Sequence, residues 1–179
     1  MEIASNGFAM IVGNKKEDLE VLVRTAMERL QQKRQVNKVY HDHVQALHVV
    51  KWLPRLGRLD GVNQRLPYME PLRVATKLHE LHNEQYFIVG EYLDDRDRNK
   101  PKLNLPGGKR ELGELCSANV EREVEEETSI DIVKEIALKR LHASGIVEQD
   151  GMKFRRYEIF EDWQNRMDSF IKATTVQAV

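Results

Sequence analysis

The apolar positions of this chain change period along its length. Between Asn14 and about Val36, Leu19, Leu22, Val23, Ala26, Met27 and Leu30 recur at intervals of three and four, the spacing of one helix face. Asn14 is placed to cap that helix, with Glu17 at its third position. The next stretch, "NKVYHDHVQALHVVKWLP", fits either a helix ending before Pro54 or a strand followed by a helix. "RLGRLDGVNQRLPYMEP" supplies glycines and prolines and reads as a linker or surface loop. From Leu72 the texture becomes β-branched and aromatic. "LRVATKLHEL" and "EQYFIVGEYL", separated by "HNE", predict a hairpin.

"DDRDRNKPK" is a charged loop, and "LNLP" a short strand running into Gly107 and Gly108. Ser117 is placed to cap a helix reaching about Thr128, with Val120 and Val124 as its apolar stripe. "IDIVKEIALKRLHA" and "MKFRRYEIFE" predict two strands. "DWQNRMDSFIKA" predicts a closing helix with Trp163, Met167 and Phe170 or Ile171 inward. Helices and strands in this mixture predict an α/β (α+β) sandwich. Two parts are expected: an N-terminal helical extension over residues 1–66 and a domain over residues 67–179.

Composition narrows the function classes. The chain has 179 residues, 41% hydrophobic and 32% charged, with a formal net charge of -1. That is a globular composition, without the basic excess of a general nucleic-acid binder or the acidity of a disordered tail. Cys116 is the single cysteine, so no disulfide forms within the chain. It reads as a buried or capping-region thiol, since no partner base for a nucleophile is evident. No apolar run approaches membrane-spanning length. These features lead us to expect a soluble cytoplasmic protein, with the nucleus as an alternative, and no membrane partner.

The chemistry concentrates in "GGKRELGELCSANVEREVEEETSI", residues 107–130. On a helix, Glu123, Glu126 and Glu127 share one face while Val120 and Val124 share another. Like charges at these spacings repel by a few tenths of a kcal/mol per pair. A solvated face explains such a run by itself. A bound cation explains it better when glycines lie beside it, because three carboxylates on a rigid helix suit Mg²⁺ or Mn²⁺. The basic residues Arg98, Lys109 and Arg110 flank the same stretch and could hold phosphates, although Arg98 alternates with aspartates as solvated loops do. His41, His43 and His48 lack a nearby cysteine and read as core or surface histidines.

The spacing resembles the Nudix box, G-x5-E-x7-R-E-U-x-E-E-x-G-U with U bulky and apolar. Gly108, Glu114, Arg122, Glu123, Val124, Glu126, Glu127 and Ile130 fill its positions, and Ser129 stands in place of the second glycine. The resemblance implies a Nudix-type α/β/α sandwich with a mixed sheet. It implies that Glu123, Glu126 and Glu127, with the carbonyl of Gly107, ligate Mg²⁺ or Mn²⁺. Glu114, Arg122, Glu126 and Glu127 would carry catalysis, Arg122 clamping Glu114 or Glu123. Glu148 is a further candidate base from a later segment. The implied reaction is hydrolysis of a diphosphate bond in a small phosphorylated substrate, a nucleoside triphosphate or a nucleoside diphosphate linked to another moiety. Diphosphoinositol polyphosphates and capped RNA are alternative substrates, capped RNA being the one route to a nucleic-acid partner. A non-catalytic binding module and a homodimer also stay open.

Overall fold

The computed structural model describes residues 6–36, 44–80, 85–93, 100–160 and 171–172. Its elements are β1 (Asn6–Gly13), α1 (Lys16–Val36), β2 (Val44–Leu53), β3 (Arg58–Asp60), α2 (Glu70–Glu80), β4 (Tyr86–Leu93), β5 (Pro101–Asn104), β6 (Gly107–Lys109), α3 (Cys116–Thr128), α4 (Ile132–Ala137), β7 (Leu141–Gln149) and β8 (Met152–Ile159). The fold is mixed α/β. One open eight-stranded sheet runs β3-β2-β4-β1-β8-β7, with β5 also on β4 and β6 also on β1. β1 is parallel to β8 and antiparallel to β4 and β6.

β1 explains the layering. Its run "FAMIV" is apolar without alternation, as expected of a strand covered on both faces. Ala9 and Ile11 join the cluster formed with Leu19, Leu22 and Ala26 of α1 and Val120 and Val124 of α3. Phe8, Met10 and Val12 join the opposite cluster, with Leu72, Val74 and Ala75 of α2. Apolar burial therefore proceeds on both sides of the sheet, with α1, α3 and α4 on one side and α2 on the other.

Four expectations change. The 1–66 stretch is not a helical extension: it supplies β1, β2 and β3 to the same sheet as residues 67–179, and β1 lies between β4 and β8. "LRVATKLHEL" is the helix α2 rather than a strand. Leu72, Ala75, Thr76 and His79 are among its buried positions, a spacing of three and four, and Pro71 sits in its first turn, where the missing N–H costs nothing. "IDIVKEIA" also turns helical, because the Asp131 side chain accepts the Lys134 N–H at 3.0 Å and caps α4; the strand begins only at Leu141. Ser117 lies inside α3, whose cap position is Leu115 without a side-chain cap bond. The ambiguous segment after α1 resolves as β2 from Val44. The expected helix over "DWQNRMDSFIKA" falls almost wholly outside the described residues, as do His41 and His43. Among the described residues, no helix is long and apolar enough to cross a membrane.

Candidate functional site

α3 rests on the sheet through Asn119, Val120, Val124 and Thr128, all buried. That anchoring turns Glu123, Glu126 and Glu127 toward β6 and the loop after it. The approach is close. A Cβ on Gly108 would lie 2.7 Å from the Glu123 carboxylate, so a side chain there would push that carboxylate aside. Gly107 has φ 153°, and a side chain there would collide with the Gly7 carbonyl of β1. Gly107 is thus a steric requirement of bringing β6 against β1.

Arg122 is the hub of the charged groups. Its Nε donates to Glu114 at 2.8 Å and its Nη2 to the other Glu114 oxygen at 3.1 Å, a bidentate clamp. The same guanidinium reaches Glu123 at 3.0 Å and Glu126 at 3.2 Å, and Nη2 donates to the Lys109 carbonyl at 3.4 Å. The Arg122 hydrogen bond, then the Glu111 amide, hold the Glu114 carboxyl below its ordinary range.

Glu127 has different company. Its Oε2 accepts from the Tyr92 hydroxyl at 2.8 Å and from the Gly107 N–H at 3.3 Å. Desolvation outweighs those bonds, and repulsion from Glu123 and Glu126 adds to it, so the carboxyl is pushed up to about 7. Desolvation also raises Glu123, against the pull of Arg122. The Tyr92 phenol is raised well above its ordinary value, by burial first and the Glu127 charge second.

Two clefts open on this arrangement. One of about 650 Å³ is lined by Phe8, Tyr92, Lys102, Asn104, Gly107 and Glu127. The other, about 500 Å³, includes Arg110, Glu111, Arg122 and Glu123. Lys109 lines both. Lys109 and Arg110 therefore stand beside the carboxylates, whereas Arg98 lies outside the described residues. Glu148 is exposed within β7, opposite Lys153, and lines neither cleft. His48 faces Glu91 across β2 and β4 at 3.4 Å.

The donor set suits a hard divalent cation in kind: all carboxylate oxygens, two of them held toward protonation by desolvation and mutual repulsion. Their present orientations diverge. Glu123 and Glu126 turn to Arg122 while Glu127 turns to Tyr92. Among the described residues no three acidic, histidine or cysteine groups form a ready cation cage. Glu126 is 56% exposed at its side chain and has the freedom to swing.

Ser129 occupies the left-handed conformation, φ 62° and ψ 16°, with its N–H donating to the Glu125 carbonyl as α3 ends. This is the backbone shape that favours glycine. Two site residues escaped sequence reasoning. Tyr92 reaches Glu127 only through strand pairing, 35 positions away in the chain. Gly7 admits α3 onto β1, since a Cβ there would lie 2.8 Å from Val120. Neither carries a local signal.

Comparison of the chain with protein-family models, with curated proteins and with solved structures finds no match.

Proposed function

We propose that the chain is a metal-dependent hydrolase of the Nudix type, cleaving a diphosphate bond in a nucleoside triphosphate or in a nucleoside diphosphate joined to another moiety. The observation that carries this reading is the Arg122 hub. One guanidinium touches Glu114, Glu123 and Glu126, while Glu127 meets the Gly107 amide. Charged residues spread over 108–127 by a fixed spacing thus meet around one helix face and one glycine turn. A merely solvated acidic face would not require a bidentate arginine within it. On the same reading the fold is a Nudix-type α/β/α sandwich, supported by helices against both faces of the mixed sheet.

Glu123, Glu126 and Glu127, with the Gly107 carbonyl, would hold Mg²⁺ or Mn²⁺. A bound divalent cation offsets negative charge on phosphate oxygens and lowers the pKa of water. Arg122 and Glu114 keep the loop after β6 and the α3 face in register. Lys109 and Arg110 attract the phosphates of the substrate. As water oxygen bonds to phosphorus and the bridging phosphorus–oxygen bond breaks, a carboxylate of the α3 face accepts the water proton.

The competing reading is a non-catalytic binding module, favoured by the divergent carboxylates. The two separate in one experiment. Product release is followed over nucleoside triphosphates, dinucleotides, nucleotide sugars, capped RNA and diphosphoinositol polyphosphates, with Mg²⁺ and then Mn²⁺. Metal-dependent cleavage of any of these supports the hydrolase. Binding of a phosphorylated compound without turnover across the panel supports the module.

A further inference from the structure

A third cavity, of about 510 Å³, lies between α1, α4 and the end of β8. It shares no lining residue with either cleft beside the α3 carboxylates, so a ligand could bind there whether or not the chain is a hydrolase. Its volume falls in the range of small-molecule sites, about 300–1,000 Å³. Leu22 and Ala26 of α1 and Ile130 and Ile159 give it an apolar wall continuous with the core.

The polar groups are few and unevenly placed. Ser129 lines the cavity, is 1% exposed, and its hydroxyl has no hydrogen-bond partner among the described residues. A buried hydroxyl left unpaired costs about 1–3 kcal/mol, which a ligand that accepts from it recovers. Beside it, the Arg29 guanidinium donates to the Ser129 carbonyl at 3.4 Å, which fixes a cation at that end. Lys139 and Arg140 add two more. Of the two acids present, Glu135 is matched by Arg140 at 2.8 Å, and Asp18 is the other. The lining is thus apolar in body with a cationic excess.

We propose that this cavity is a binding site for a small amphiphilic anion, a carboxylate or a phosphate monoester on an aliphatic body. The acidic head takes the Ser129 hydroxyl and the Arg29 guanidinium, and the aliphatic body lies along Leu22 and Ala26. Because Ser129 closes α3, an occupied site touches the end of the helix that carries Glu123, Glu126 and Glu127.

The test uses the full chain with octanoate, octyl phosphate and neutral octanol as probes, followed by calorimetry and by amide chemical shifts. The expected result is saturable binding of at least one anion, with shifts centred on Ser129, Ile130 and α1, and octanol about ten-fold weaker or more, as losing a charge-assisted hydrogen bond implies. The comparison of octanoate with octyl phosphate tells which head group the site takes. Arg29→Gln should weaken the anion about ten-fold and leave octanol unchanged. Thr25→Trp, a substitution at an exposed rim position that leaves the buried wall intact, should block all three probes. Absence of binding by both anions at millimolar concentration, octanol binding as tightly as the tighter of the two anions, or shifts centred on Gly108 and Lys109 instead would each overturn the proposal.

Discussion

The two sides of α3 live under opposite rules. One side is packed: Val120 and Val124 are fully buried on the sheet, and their contribution grows as water is excluded. The other side carries Glu123, Glu126 and Glu127, where desolvation is a penalty that holds Glu127 up to about 7. A helix chosen for stability alone would not crowd carboxylates there. The difference teaches that the packed side sets the position of the charged one, whose carboxylates are held close against repulsion and desolvation. Each side can be broken without the other, and the consequences should differ.

The largest effect strikes the packed side. Deleting residues 1–66 removes β1 from between β4 and β8 and with it the surface under Val120. The truncated chain should show no cooperative unfolding transition by circular dichroism. A cooperative transition would mean that α3 is held by the remaining strands alone.

Acidity reads the charged side in the metal-free protein. Glu127 is raised from 4.5 to about 7, so the folded state binds the proton more tightly than the unfolded state does. The stabilisation this brings is complete below pH 4.5 and is lost as pH rises through about 7, a change of at most about 3 kcal/mol. Glu114, held low by Arg122, works in the reverse sense and loses its contribution as pH falls through its lowered value. Chemical denaturation of the metal-free chain across this interval checks the sign, and Glu127→Gln should flatten the slope.

Val124→Ala should lower stability by about 2 kcal/mol through lost burial and a cavity. Turnover measured well below the new thermal midpoint should stay within a few-fold, because no charged group moves from its partners. A loss of activity as large as that from changing a carboxylate would blur the division between the two sides.

Smaller still is Ser129→Gly. It relieves a left-handed serine and deletes an unpaired buried hydroxyl, against a loss of chain stiffness in the unfolded state. Stability should rise by about 1 kcal/mol, read as a higher thermal midpoint. Activity on any substrate found should stay within a few-fold.

What was legible in the sequence divides along similar lines. The acidic face and its glycines fall within 24 consecutive residues, 107–130, and helical geometry alone places them together. The same pattern marks Ser129 as standing where a glycine is expected, but its left-handed conformation is seen only in the structure. Tyr92 and Gly7 were not legible because strand pairing, which is non-local, brings them to α3. β1 was passed over because a strand buried on both faces lacks the alternation that marks a half-exposed one. In α2 the β-branched texture of "LRVATKLHEL" masked a helical period that burial obeys. The boundary expected at residue 66 followed from those two misreadings, since it left the central strand out of the sheet.

The central claim is that the charged side of α3 binds the metal and performs the chemistry. Glu126→Gln, Glu127→Gln and Glu125→Gln, compared on one substrate at saturating Mg²⁺, test it most directly. Glu125 is the control: it faces Lys33 of α1 at 3.2 Å with 44% of its side chain exposed, a pair worth at most about 1 kcal/mol. The account predicts that Glu126→Gln and Glu127→Gln each lower kcat by about two to four orders of magnitude, with thermal midpoints without metal at or above that of the parent, while Glu125→Gln keeps its turnover. Equal activity in all three would contradict the account and leave the glutamates as a solvated helix face.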